Sequence, residues 1–404
     1  MQQKKIGILY ITYDGLCDPL GQSQVTPYIK GLANKGINIF ILSFEKRRSF
    51  EKLNLIKELK FELNQYHVGW RHLRYHNNPR IFAAVYDVLC GLLNGFILIK
   101  KYRLNIVHAR GYVSGFIASW LKRLLKIKFI FDMRGFWIEE KVDAGFWRKD
   151  SISYKIAKNM EKSMLSLAER VIVLTEKAKL FLESCAVKSE KQIAVIPTYV
   201  DLKMFSPLKE SKKDFLQNKV VILYSGSIGT FYAFKEMVEF FKIFREKEEN
   251  AFFLALINNE QQAAEDVLKS HGIGKESYKV LALSHLEVPE WLREADVSLM
   301  FYRRNNSYAG CCPTKFAESL ACGVPVIINK DIGDCDEIVR KEGVGFVAED
   351  FQEPTFRKIS DDFLSFRKER GKGNIDIRCR SVAENLFSLE TGIKRYLELY
   401  NKLI

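Results

Sequence analysis

The sequence predicts an α/β protein built from two Rossmann-like domains. The chain has 404 residues, more than one ordinary core holds and about right for two domains of roughly 150–200 residues. Short apolar runs alternate with stretches of helical periodicity, the pattern of parallel strands covered on both faces by helices. That alternation stops near the middle and starts again. Hydrophobic residues make up 47% of the chain, enough to fill two cores.

The first series opens with an apolar strand, Lys5 to Ile11, ended by Asp14-Gly15. A glycine-containing loop, Cys17 to Ser23, leads to a helix from Val25 to Asn34 that Gly36 stops. A strand follows at Ile37 to Ser43. Ile106 to His108 is the next strand read, before a helix from Tyr112 to Lys126. Phe129 to Asp132 is a strand, Ile152 to Ala168 a helix, and Arg170 to Leu174 and Lys191 to Pro197 complete the strands. The second series has strands at Val220 to Ser225, Ala251 to Ile257, Tyr278 to Leu281, Val297 to Phe301 and Val326 to Asn329, with a helix from about Phe234 to Lys247. The polar stretch between the series, Thr198 to Lys219, lacks strong periodicity and reads as a hinge. Val382 to Leu403 carries apolar residues at helical spacing and reads as one amphipathic C-terminal helix. The expected division is therefore 1–197, a hinge at 198–219, a second domain at 220–381, and a helix at 382–404 that returns to the first domain.

Ile81 to Ile99 is apolar for about the length needed to cross a bilayer. Asp87, Asn94 and two glycines interrupt it, which favours a buried or half-buried helix. The stretch before it, Trp70 to Tyr75, is basic and aromatic. It reads either as a headgroup-binding segment or as an ordinary exposed loop. The net charge of +14 is spread along the chain without any nucleic-acid-binding motif, so nucleic acid is not expected as a partner. Such a balance suits an anionic membrane surface or a phosphorylated substrate. The eight cysteines are irregularly spaced and no signal peptide is evident, so a reducing cytoplasm is expected.

Open α/β sheets bind ligands beyond the carboxyl ends of their strands, and three groups of residues fall there. The first is Asp14 to Ser23, where Gly15 and Gly21 would let backbone approach a phosphate at a helix start. The second is Ser225-Gly226-Ser227-Ile228-Gly229-Thr230, which can wrap a diphosphate or form a tight structural turn. The third is Pro313-Thr314-Lys315-Phe316-Ala317-Glu318-Ser319, ended by Gly323 and followed by a buried strand. Thr314 can cap this helix. A lysine beside a helix start is unfavourable unless an anion lies there, and Glu318 one turn later can accept from a diol such as ribose. The other reading is a surface Lys–Glu pair.

At these residues the chain resembles glycosyltransferase family 4, the retaining transferases of the GT-B fold. The resemblance takes in Asp18 to Gln24, Asp132-Met133-Arg134-Gly135-Phe136-Trp137, Ile196 to Asp201, Tyr224 to Ser227 and, most specifically, Glu318 to Val326. It implies two domains facing across a cleft. In the family a Glu, seven residues and a second Glu hold the donor. Glu318 matches the second, and the first falls at Gly310. The chain is similar to a sub-branch in which a Pro313-Thr314-Lys315 run replaces that first Glu.

The resemblance implies Lys315, Arg303 and Arg110 as catalytic cations. Gly21, Gly226, Ser227, Gly229, Thr230, Pro313, Thr314, Glu318 and Ser319 would bind the nucleotide-sugar. His108 and Arg134 would face the acceptor or the cleft. No metal or other cofactor is expected. The expected donor is a UDP- or GDP-linked sugar, and the expected acceptor is lipid-linked or another saccharide, as in surface polysaccharide assembly. Peripheral association with the inner face of a membrane goes with that acceptor. The rival readings are a sugar-nucleotide 2-epimerase of the same fold and a non-catalytic partner protein.

Overall fold

The computed structural model describes residues 6–51, 53–185, 192–207, 212–229 and 231–403. It divides into two compact units. Unit 1 is Met1–Pro197 with Leu389–Ile404, and unit 2 is Thr198–Ser388.

Unit 1 runs β1 (Gly7–Thr12), α1 (Pro19–Gln24), α2 (Thr26–Asn34), β2 (Asn38–Glu45), α3 (Arg47–Glu51), α4 (Leu53–Gln65), β3 (Gly69–Arg74), α5 (Arg80–Tyr102), β4 (Ile106–Arg110), α6 (Tyr112–Leu125), β5 (Lys128–Asp132), α7 (Trp137–Asp143), α8 (Ile152–Leu167), β6 (Arg170–Val173), α9 (Glu176–Ser184) and β7 (Ile193–Val195). Its seven strands are parallel in the order β3-β2-β1-β4-β5-β6-β7. Every residue of β1 is buried, which is why its sequence is a continuous apolar run instead of an alternating one.

Unit 2 repeats the plan with β8 (Val220–Ser225), α10 (Phe234–Arg245), β9 (Ala251–Leu256), α11 (Gln261–Ser270), β10 (Tyr278–Leu281), α12 (Val288–Leu292), β11 (Val297–Met300), α13 (Thr314–Ala321), β12 (Val326–Asn329), α14 (Cys335–Glu342), β13 (Gly345–Ala348), α15 (Glu353–Gly373) and α16 (Ile375–Phe387). Its six strands are parallel in the order β10-β9-β8-β11-β12-β13. The sheet core is rich in phenylalanine: Phe240, Phe241, Phe244 and Phe253 are fully buried. In both sheets the first strand lies between the second and a later one, so the direction of winding reverses beside it. Ligands bind at such reversal points in open α/β sheets. The reversal falls at the ends of β1 and β4 in unit 1, and of β8 and β11 in unit 2.

Three expectations change. The C-terminal stretch is not one helix. It breaks at Ser388, which is extended, and the Val200 N–H donates to the Phe387 carbonyl beside the break. The part before it, α16, belongs to unit 2, where Arg380 donates to the carbonyls of Leu202, Phe205 and Ala321. The part after it, α17 (Leu389–Asn401), packs on α2 in unit 1, where the Ile393 side chain fills the space that a Cβ on Gly31 would take. The stretch read as a hinge also contributes to a core, with Val200, Phe205 and Leu216 buried in that of unit 2. Trp70 to Tyr75 is not a loop. Most of it is edge strand β3, and the indole of Trp70 is buried and donates to Ser43 Oγ over 2.8 Å.

Candidate active site

The site in unit 2 is assembled where β8 and β11 end side by side. Tyr224 is the penultimate residue of β8, and Tyr302 follows β11. Tyr232 is held against Tyr302 by a short antiparallel bridge, reinforced by Arg303 N–H donating to the Phe231 carbonyl. Lys315, in the first turn of α13, reaches into the space these rings enclose. Its Nζ lies 3.8 Å from the Tyr232 ring centre, 4.9 Å from Tyr224 and 5.5 Å from Tyr302. The nitrogen is buried and has no hydrogen-bond partner among the described residues. The negative faces of three rings attract a cation, but they replace only part of the water it has lost. Burial therefore lowers the Lys315 ammonium to a pKa of about 7, with Glu318 pulling weakly the other way.

The loop after β8 comes up to this nitrogen. A Cβ on Gly226 would lie 2.6 Å from Lys315 Nζ and 2.9 Å from the Tyr224 hydroxyl. The loop is held by that hydroxyl, which donates to the Ser227 carbonyl. Ser227 is exposed, and a side chain on Gly229 would meet only open space. Thr230 lies outside the described residues. Glu318 sits one turn after Lys315, with 13% of its side chain exposed, and accepts from His285 Nε2 at 3.3 Å. It is not the partner of a surface Lys–Glu pair.

Other expected residues have different work. Pro313, not Thr314, occupies the cap position of α13, and no side chain caps the helix. Ser319 is fully buried and donates back to the Lys315 carbonyl over 2.8 Å, so its hydroxyl is used inside the helix. The Arg303 guanidinium is exposed, and what Arg303 gives the cage is its backbone. Gly21 does not face a ligand: it is buried in α1, and a Cβ there would collide with the Gly15 carbonyl at 2.1 Å. The N–H groups expected to greet a phosphate in that loop are already taken. The buried carboxylate of Glu45 accepts from Leu16 N–H at 2.7 Å and from Cys17 N–H at 3.1 Å.

Unit 1 gathers His108, Arg110 and Arg134 around a residue the sequence reading left without a role, Asp132. The strand register places Arg110 beside Asp132. Arg134, in the left-handed region at φ 61°, turns back to within 4.0 Å of the same carboxylate. His108 is fully enclosed. Its Nε2 lies 3.6 Å from Asp132, and its Nδ1 is 2.7 Å from the Tyr400 hydroxyl of α17. Tyr396, one turn earlier on α17, donates to Asp132 at 3.3 Å. Burial would push the Asp132 carboxyl up, but Arg134, His108 and Arg110 hold it below its ordinary value. Burial keeps His108 below its ordinary value despite Asp132. His108 therefore does not line an open surface; it orients the α17 tyrosines. Arg110 is almost fully buried, and its Nε lies 3.9 Å from Asp14 at the end of β1.

A parallel sheet in each half, with helices on its faces and a switch point at the end of its first strand, is the two-domain α/β architecture of the GT-B fold. Residues 23–204 match the model described as Glycosyltransferase Family 4, and residues 207–372 match that of Glycosyl transferases group 1. The chain belongs to glycosyltransferase family 4 and is a glycosyltransferase. Its fold is similar to that of sucrose-phosphate synthase from Thermosynechococcus elongatus, with a TM-score of 0.74, 15% identity and 99% of both chains covered. A glycosyltransferase from Rickettsia africae gives 0.71 at 16% identity, again over 99% of both. HepE from Anabaena in complex with UDP and glucose gives 0.69 at 12% identity, over 98% of this chain and 99% of that one. No curated protein sequence matches the chain.

Proposed function

We propose that the protein transfers a sugar, with retention of configuration, from a UDP- or GDP-linked donor to a lipid-linked or saccharide acceptor in surface polysaccharide assembly, working in the cytoplasm at the inner membrane face. The observation that carries the donor is Lys315: a buried amine without a hydrogen-bond partner, beside a glycine loop, is costly unless an anion joins it. A diphosphate fits that need. The fold similarity to HepE, whose structure holds UDP and glucose, supports the same class of donor.

In this reading the diphosphate lies between the Ser225 to Gly229 backbone and Lys315, and Glu318 accepts from the nucleotide ribose. No metal is required. As the glycosidic bond breaks, negative charge grows on the leaving diphosphate, and Lys315 stabilises it in a water-poor pocket. Arg303 is free to swing toward the same charge. Arg110 and Arg134, with their charges partly balanced by Asp132, would meet a phosphorylated acceptor on unit 1.

The test is nucleoside diphosphate release over a panel of UDP- and GDP-sugars, with and without lipid-linked acceptor, together with melting curves for UDP and GDP. Stabilisation by one nucleotide is expected through mass action, with acceptor-dependent release from a sugar on that nucleotide. No shift with either nucleotide at millimolar concentration would remove the reading.

A further inference from the structure

We infer that the outer face of α5 lies flat on an anionic lipid bilayer. Helix α5 has 23 residues and presents two faces of opposite use. Phe82, Val85, Leu89, Leu93 and Phe96 fall at intervals of three or four residues, Ile97 lies beside the last, and all six are exposed, Phe82 by 77% and Leu93 by 62%. Trp120 and Leu124 of α6, the helix packed against α5, are exposed as well. Apolar exposure of this kind, in one stripe, marks an interaction surface and not ordinary surface scatter.

Charge identifies the partner. From Leu63 to Ile130 the chain has eleven Lys or Arg and one acid, Asp87. That acid is turned inward, where it accepts from the Tyr13 hydroxyl at 2.9 Å and the His76 N–H at 3.0 Å. The apolar stripe is therefore free of negative charge. Cations edge it: Lys100 and Lys101 are exposed at the end of α5, Arg71 donates to Asn94 on its flank, and Arg123 stacks over Trp120. An apolar face with basic edges is what an interfacial helix needs to insert among acyl chains while its cations meet anionic headgroups. A protein partner would have to offer an apolar, acidic surface of matching length, and nothing on this face selects for one.

Packing decides that the helix lies on the membrane and does not span it. By length and composition alone, Phe82–Tyr102 could cross a bilayer. Its inner face, however, is part of the unit 1 core. Leu98 and Ile99 are buried, and Cβ atoms on Gly91 and Gly95 would stand 2.7 Å from Ile117 and 2.8 Å from Leu121. Those two glycines let α5 sit directly on α6, and withdrawal into lipid would strip that contact.

The test is co-sedimentation of the full chain with vesicles of phosphatidylcholine alone or mixed with phosphatidylglycerol, without nucleotide or acceptor. Its result is independent of whether the donor reading holds. Binding is expected to the anionic vesicles only, to weaken as salt rises, and to be released by high salt. The double variant L89E/L93E should bind at least about tenfold more weakly, because affinity follows the apolar area buried. If that variant does not fold, Lys100→Glu with Lys101→Glu replaces it and should weaken anionic binding by a similar factor. The inference is overturned by absence of binding to anionic vesicles, or by folded variants that bind like the parent. Release only by detergent would mean a spanning helix. A variant that dissociates a dimer without altering vesicle binding would mean contact between two copies. Either result overturns it too.

Discussion

The amine of Lys315 and the backbone of Gly226 lie so close that a side chain at 226 would begin 2.6 Å from the nitrogen. Gly226 also has φ at +152°, a conformation costly for any residue with a Cβ, by about 1–3 kcal/mol. Gly226→Ala should therefore lower the melting temperature modestly and push the amine out of its cage. Misplacing a catalytic group by an ångström can cost about a hundredfold in rate, and a loss of that order in turnover is expected. Gly229→Ala, whose Cβ would meet no protein atom within 4 Å, should cost less turnover than Gly226→Ala. Equal effects of the two substitutions in steady-state transfer would contradict the assignment.

Glu318 tests the nucleotide half of the site. Its carboxylate is mostly enclosed and has one weak partner in His285. If it accepts from ribose, Glu318→Ala weakens nucleotide binding by about 1–3 kcal/mol, the usual worth of a hydrogen bond to a charged group. His285→Ala should change binding far less. Calorimetry on folded Glu318→Ala with unchanged affinity would return Glu318 to a structural role.

What the sequence made legible follows from burial. Strands β1, β8 and β9 are buried along their lengths, so their apolar runs stand out. Strand β3 escaped because it is an edge, with Arg71 and Arg74 exposed, and its composition reads as a loop. The break at Ser388 was invisible because apolar residues keep helical spacing on both sides of it. Lys315 was found through its place at a helix start, and the structure gives it a buried setting. The cage was not found: Tyr224, Tyr232 and Tyr302 come from three separate segments that only the β8–β11 pairing brings together. Glu45 was missed for the same reason, since it serves a loop 28–29 residues before it.

Asp132 should be the most sensitive position in unit 1. It balances three basic side chains and accepts from Tyr396. Removing one partner of a buried charge network typically costs about 3–5 kcal/mol, because the remaining charges stay buried without compensation. Asp132→Ala is expected to lose that much stability. The wild-type carboxyl is held below its ordinary value, so its contribution is present above the unfolded carboxylate range. It is lost as pH falls through the folded value. Asp132→Asn should show a flatter acid limb in melting temperature against pH. An unchanged limb would mean that other carboxylates set it.

Lys315 should separate stability from activity. The free protein bears the cost of a buried amine with no hydrogen-bond partner, so Lys315→Met, similar in length and apolar, should be at least as stable as the parent. Turnover should nevertheless fall by about 10²–10³-fold, the usual loss for one electrostatic stabiliser of a developing charge. Lys315→Arg should recover part of it, limited by the different shape of its head group. A merely structural lysine would give the reverse pattern, with stability lost and rate kept.

The pH dependence of nucleotide binding follows from the same amine. In the free protein its pKa is lowered to about 7 by burial, whereas in an unfolded chain a lysine titrates near 10.4. Between those values the unfolded chain holds a proton that the folded one lacks, so this group makes stability rise with pH across that window. A bound diphosphate does the opposite to the amine: its charge favours the ammonium and raises the pKa. Above pH 7, binding must therefore take up a proton, and affinity should fall by up to about tenfold per pH unit until the raised pKa of the complex is passed. Calorimetry with UDP or GDP in two buffers of different ionisation enthalpy measures that uptake directly. Near pH 8 it is expected to approach one proton in the parent and to vanish in Lys315→Met. Equal uptake in both proteins would place the titrating group elsewhere and leave Lys315 without contact to the phosphates.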